Sequence, residues 1–195
     1  MDVLAFLSAW RRNPGGIGAI TPSSSTLARA MVAKITLRPG ESILEFGPGT
    51  GPFTRQIRAM IPDHGGYLGI DREPRFVAML RGRFSDMRFV EGSAVDAPRF
   101  HAEAGLGPVR AIFCGLPFAS LPAPVQDGVI EAIDTLLEPG AEFRTFQYVN
   151  AYPLPRAIRY RRRMNALFGA PQRIGPIWRN LPPAFVLRWV KRGET

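Results

Sequence analysis

From residue 42 onward, short apolar runs alternate with stretches whose apolar residues recur every three or four positions. The runs at 42–46, 67–71, 87–91, 109–114 and 141–148 predict strands. The periodic stretches at 52–60, 74–84 and 122–137 predict helices. Strand and helix in turn, with short breaks, imply an α/β fold: a mostly parallel sheet with helices on both faces. The pattern changes after residue 150. Residues 155–168 read as a helix, 184–190 as a closing strand, and the proline-rich 171–183 stretch as a connector. Ahead of the sheet, Val3, Phe6, Leu7 and Trp10 share one face of a short helix over 1–12, which Asn13-Pro14-Gly15-Gly16 ends. A second helix starts in the serines at 23–25 and runs through Val32. The organisation expected is a helical extension over 1–34 and an α/β domain over 35–195, with a basic insertion at 150–180.

Composition sets the class. With 195 residues, 46% hydrophobic and 21% charged, the chain can bury a core and is globular rather than disordered. The net charge of +9 is unevenly placed. Residues 1–150 balance 15 basic against 15 acidic side chains, whereas 151–195 carry 10 basic residues against Glu194. Such a segment seeks a polyanion, either an anionic membrane surface or nucleic acid. The single cysteine, Cys114, excludes an internal disulfide and suits a reducing cytoplasm. His64 and His101 show no metal-ligand spacing, so no metal is expected. No apolar stretch reaches the roughly 18–20 residues of a membrane span, and no signal-peptide pattern opens the chain.

The candidate chemistry begins at Glu45-Phe46-Gly47-Pro48-Gly49-Thr50-Gly51, between the first strand and a helix that starts at Pro52. A glycine-rich turn there lets a ligand lie against bare backbone. Pro52 stands where a dinucleotide fingerprint needs glycine. The pattern resembles motif I of class I methyltransferases, which have a Rossmann-like sheet and use S-adenosylmethionine. That resemblance implies contacts from Gly47, Pro48, Gly49 and Gly51, with Glu45 facing the donor's ammonium. Asp71, with Arg72 beside it, ends the second strand 24 residues after Gly47, close to where an acid reaches ribose hydroxyls. Asp71 can equally cap the helix opening at Pro74. Ser93 and Ala94, after the third strand, are placed to meet the adenine edge.

The fourth strand ends Cys114-Gly115-Leu116-Pro117-Phe118. In such methyltransferases this position faces the methyl group, and base-methylating members place Asn or Asp before the proline. Here that polar reader is missing. Backbone carbonyls at Gly115 and Leu116 suit a flexible alkyl amine instead. Phe118 is read either as a stacking surface or as core. Tyr148, Asn150, Tyr152 and Tyr160 either line the acceptor pocket or pack structurally; no base for the amine proton is evident, and either Tyr148 guides that proton through its hydroxyl or water takes it. Two segments look interfacial: the 1–12 helix, through Phe6, Leu7, Trp10, Arg11 and Arg12, and the 155–168 helix. In the latter Arg156, Arg159, Arg162 and Arg163 oppose Ala157, Tyr160, Met164, Leu167 and Phe168. A solvated charge run, self-docking of the first helix and RNA binding are the alternatives.

Across nearly the whole chain, Phe6-Leu7-Ser8-Ala9-Trp10, Asn13-Pro14, Gly18-Ala19-Ile20, Pro22-Ser23-Ser24, the glycine motif, Gly115-Leu116-Pro117 and Trp178-Arg179-Asn180-Leu181-Pro182-Pro183-Ala184 resemble the soluble bacterial phospholipid N-methyltransferases. The resemblance implies successive methylation of phosphatidylethanolamine toward phosphatidylcholine, with S-adenosylhomocysteine as by-product. It also implies peripheral attachment to the inner face of the cytoplasmic membrane through the N-terminal helix. Ser23, Ser24, Pro117 and Phe118 then fall on the acceptor side, with Arg159 or Arg163 on the lipid phosphate. Asp71 and Phe46 depart mildly, standing where the family commonly has Glu and often Leu. An RNA adenine dimethylase-like enzyme, a small-molecule methyltransferase and a membrane-binding module without catalysis are the competing readings; intact Glu45 and Asp71 argue against the last.

Overall fold

The structure is a computed structural model and describes residues 23–193. The 1–12 helix, with Phe6, Leu7, Trp10, Arg11 and Arg12, lies outside the described residues. Helix α1 (Ser25–Val32) is capped by Ser24, whose hydroxyl accepts the Leu27 N–H at 3.1 Å. There follow β1 (Ser42–Phe46), α2 (Pro52–Met60), β2 (Tyr67–Asp71), α3 (Pro74–Arg83), β3 (Arg88–Glu91), α4 (Ala97–Glu103), β4 (Val109–Cys114), α5 (Ala123–Leu136) and β5 (Leu137–Tyr148). The chain continues with α6 (Pro155–Phe168), β6 (Gln172–Ile177) and β7 (Ala184–Val190).

The strands form one sheet in the order β3-β2-β1-β4-β5-β7-β6. The first five are parallel, while β7 runs antiparallel to both β5 and β6. Strand β1 is buried along its whole length, as its unbroken Ile43-Leu44 run requires of a strand covered on both faces. One apolar layer contains Ile130, Ile133, Phe143, Tyr160 and Trp189; the other contains Leu27, Met31, Phe53, Ile57 and Val186.

Two elements differ from the sequence expectation. Residues 172–177 form an edge strand rather than a connector, since an edge position tolerates Pro176 in a way that an inner strand does not. Helix α4 was not expected, because its seven residues bury just Ala97 and Phe100, too short a period to read.

At the antiparallel end, Glu142 and Arg144 are buried neighbours. Arg144 donates to Glu142 and also to the carbonyls of Met31 and Ala33, closing the end of α1. Arg188 adds two further bonds to Glu142. Burial opposes ionisation of Glu142, but the hydrogen bonds from Arg188 and Arg144 outweigh it and bring the carboxyl down to about 2. No helix among the described residues is long and apolar enough to cross a membrane.

Candidate active site

Strand order reverses between β1 and β4, where an open α/β sheet offers a crevice at its carboxyl edge. Strand β1 leads there into the turn Gly47–Gly51. Gly47 and Gly49 have φ of +68° and +57°, a region that side chains disfavour. A Cβ on Gly47 would lie 2.8 Å from Leu116 Cδ2, whereas nothing lies within 4 Å of that position on Gly49. Hydrogen bonds fix the turn: Gly47 N–H to the Ile70 carbonyl and Gly51 N–H to the Pro48 carbonyl, both at 2.9 Å. Gly49 N–H donates to Asp71 Oδ2 at 2.9 Å.

A cleft of about 550 Å³ opens beside this turn, within the range of small-molecule sites. Gly47, Pro48, Gly49 and Thr50 form one wall. Residues 115–120 and 146–148 form others, and Ser23, Asn150, Leu154 and Pro182 also face it. Gly115 N–H donates to the Phe46 carbonyl at 2.8 Å, which holds the β4 exit against the end of β1. Gly115, Leu116, Pro117 and Tyr148 therefore share a cleft with the glycine turn. Gly51 sits at the N-cap of α2.

Glu45 corrects the expectation. Its side chain is fully buried rather than part of the cleft wall, and its Oε2 accepts from the hydroxyls of Thr54 at 2.8 Å and Tyr67 at 2.6 Å. It braces the turn to α2 and β2. Burial pushes its carboxyl up to about 7, against the opposing hydrogen bonds from Tyr67 and Thr54. Its Oε1 is buried with no partner among the described residues.

Asp71 uses each oxygen once, Oδ2 on Gly49 N–H and Oδ1 on Glu73 N–H at 3.0 Å. Burial raises its carboxyl, opposed by these backbone bonds. Carboxylate oxygens can accept again, so hydroxyls remain within its chemistry. Arg72 is exposed. Ser93 Oγ accepts Val95 N–H at 3.3 Å as the cap of a short 3₁₀ turn, and Ala94 is buried in the core.

Several acceptor-side expectations are corrected by packing. The rings of Phe118 and Tyr160 stack at 3.8 Å, with exposures of 2% and 0%; Tyr160 belongs to the core, and Phe118 borders the cleft with one ring face already covered by Tyr160. Tyr152 packs edge-on against Phe185 and under the Arg161 guanidinium, away from the cleft wall. Arg159 donates to Asp127 Oδ2 at 2.7 Å and to Gln126 Oε1 at 3.1 Å. Arg163 lies 3.4 Å from Asp127 Oδ1, within ion-pair range. These two cations are thus engaged with α5. The apolar face of α6 (Ala157, Tyr160, Met164, Phe168) is buried against the protein, which removes it from a headgroup layer. Ser24 caps α1 rather than facing the cleft.

Tyr148 does face the cleft. Its hydroxyl is buried without a partner among the described residues, and burial raises it to about 12. It is protonated near neutrality and is no general base there. Phe146 and Gln147 are among the cleft residues that escaped the sequence reading. Phe146 gave no signal beyond strand alternation. Gln147 was visible as a polar residue in an apolar run; its Oε1 accepts from Arg161 at 2.6 Å, while Nε2 is buried without a partner among the described residues.

The bare turn at Gly47–Gly49, open above Gly49, fits the amino-acid end of S-adenosylmethionine, and Asp71 fits its ribose. When bound, that donor supplies a methyl group activated by a positive sulfonium. The sheet order and the cleft at its reversal point define a Rossmann-like, class I S-adenosylmethionine-dependent methyltransferase. A family model for the methyltransferase domain matches residues 43–140, and the chain belongs to that family. It is 27% identical over 186 residues to an ornithine lipid N-methyltransferase of Singulisphaera acidiphila, covering 94% of this chain and 93% of that one. Among solved structures, a putative rRNA-methylase from Clostridium thermocellum aligns with a TM-score of 0.66 at 14% identity, over 88% of this chain and 98% of that one. Fibrillarin from Aeropyrum pernix, solved with natively bound S-adenosylmethionine, aligns at 0.62 and 14% identity, over 85% and 73%.

Proposed function

We propose that the protein methylates the amine of a membrane aminolipid at the inner face of the cytoplasmic membrane. Phosphatidylethanolamine and its mono- and dimethyl derivatives are the acceptors read from the sequence. The observation that carries this reading is the acceptor wall at the β4 exit. Gly115-Leu116-Pro117 faces the cleft with apolar atoms and backbone and no polar side chain to read a flat base. The amine nitrogen attacks the methyl carbon, the carbon–sulfur bond breaks with its electron pair left on sulfur, and S-adenosylhomocysteine departs. Alignment and exclusion of water do most of the work. The nitrogen's proton passes to water, with the Tyr148 hydroxyl as a hydrogen-bonding guide. The ornithine lipid relative supports a second acceptor, the amine of an ornithine lipid.

The test is incubation with methyl-labelled S-adenosylmethionine and three acceptors: phosphatidylethanolamine vesicles, ornithine-lipid vesicles, and RNA. Label is expected in phosphatidylethanolamine. Label confined to ornithine lipid selects the second acceptor, and label confined to RNA overturns the lipid reading.

A further inference from the structure

Trp178 and Leu181 are 70% and 72% exposed, the most exposed large apolar side chains among the described residues. Between them, Asn180 is buried and doubly tied: its Oδ1 accepts Ser24 N–H at 2.9 Å, and its Nδ2 donates to the Pro182 carbonyl at 2.7 Å. The turn is therefore anchored from below while its apolar members stay in solvent, at a cost that a folded chain avoids unless the surface is used. Its neighbour is the 149–154 turn, joined to it by the Val149 N–H to Pro183 carbonyl bond at 2.8 Å. Pro182 and Leu154, one from each turn, both face the cleft, and Leu154 is 45% exposed. Two cations complete the rim. Arg179 is exposed, and Arg156 is exposed while donating to the carbonyl of Ser120, itself a cleft residue.

We propose that this rim, Leu154, Arg156, Trp178, Arg179 and Leu181, is the face by which the protein docks on an anionic lipid bilayer. The inference rests on the lipid reading above and adds the surface that meets the membrane. Indole and leucine enter the headgroup boundary, where an amphipathic ring is favoured. The guanidinium groups meet lipid phosphates, matching a segment with no acid between residues 151 and 193. Docked so, the cleft opens onto the layer that holds the amines. The rim takes only Arg156 from α6, since Arg159 and Arg163 are held by Asp127 and the apolar face of that helix is buried.

The full chain is sedimented with vesicles of phosphatidylglycerol and phosphatidylethanolamine. The pair W178S/L181S is expected to weaken vesicle binding at least about tenfold. Turnover of a short-chain aminolipid presented as monomers should stay within about twofold. The R156Q/R179Q pair is expected to abolish the preference for these vesicles over neutral phosphatidylcholine. Brominated acyl chains are expected to quench wild-type fluorescence more than that of W178F. Unchanged sedimentation of W178S/L181S, or equal quenching of wild type and W178F, overturns the proposal. So does protection of Trp178 from aqueous iodide without vesicles, which would assign residues 1–22 as the cover of this rim. If the protein docks through Trp178 but labels no lipid, the docking stands and the aminolipid reading falls.

Discussion

The amide of Ser24 donates to Asn180 Oδ1 at 2.9 Å, joining two residues 156 positions apart. The bond fastens the entry of α1 to the turn that carries Trp178 and Leu181. Asn180→Ala leaves Ser24 N–H and the Pro182 carbonyl without their partner, a loss of about 2 kcal/mol. Thermal unfolding should fall by about 4–8 °C. Ser23 and Pro182 both face the cleft, so the KM for the acceptor should rise while donor affinity, read by calorimetry, stays constant.

Gly49→Ala should separate strain from ligand contact. At φ +57° an added Cβ costs about 1 kcal/mol of stability, and it would stand in the open space above the turn. Donor affinity should fall at least about tenfold. Gly140→Ala is the control: its φ of +88° imposes comparable strain with equally open surroundings, but it lies outside the cleft wall. Its donor affinity should match the wild type in the same titration.

Glu45 gives the fold a dependence on pH. Its folded carboxyl lies near 7, above the ordinary 4.5, so the folded state holds a proton that the unfolded chain releases between these values. This contribution is fully present below pH 4.5 and is lost as pH rises through 7. The shift corresponds to about 3 kcal/mol. Glu142, held near 2, loses its own contribution only in stronger acid and leaves this window undisturbed. Urea unfolding of the donor-free protein should show greater stability at pH 5 than at pH 8. Glu45→Gln should remove that part of the slope, and an unchanged slope would place its origin elsewhere.

Arg159→Ala should leave aminolipid turnover within about twofold, because its guanidinium serves Asp127 and Gln126 on α5. Stability should drop by no more than about 1 kcal/mol, as for other half-exposed pairs. Asp127, now held low chiefly by its hydrogen bond from Arg159, should titrate closer to an ordinary aspartate when followed by carbon-detected NMR.

Local patterns carried the donor side of the molecule. The 42–46 strand, the glycine turn and the helix from Pro52 to Met60 lie where spacing placed them, because a buried strand, a tight turn and an amphipathic helix each leave a signature within ten residues. The acceptor side depends on contacts between distant segments. Nothing near Phe118 announces that Tyr160 will stack upon it. Nothing near Arg159 announces Asp127, which is 32 positions away on another helix. Glu45 was recognisable as important, but its partners Thr54 and Tyr67 come from different elements, so its role as a brace became visible only in the fold. Asn180, a polar residue among prolines and exposed apolar groups, shows its purpose only once Ser24 lies beside it.

The placement of β7 between β5 and β6 bears on how the molecule is made. Residues 172–177 leave the ribosome first, yet have no strand to pair with until 184–190 emerge and slot in beside Tyr148. The nascent chain can therefore shape its donor turn early, whereas the strand that carries Tyr148 gains its antiparallel neighbour only after residue 190 has emerged.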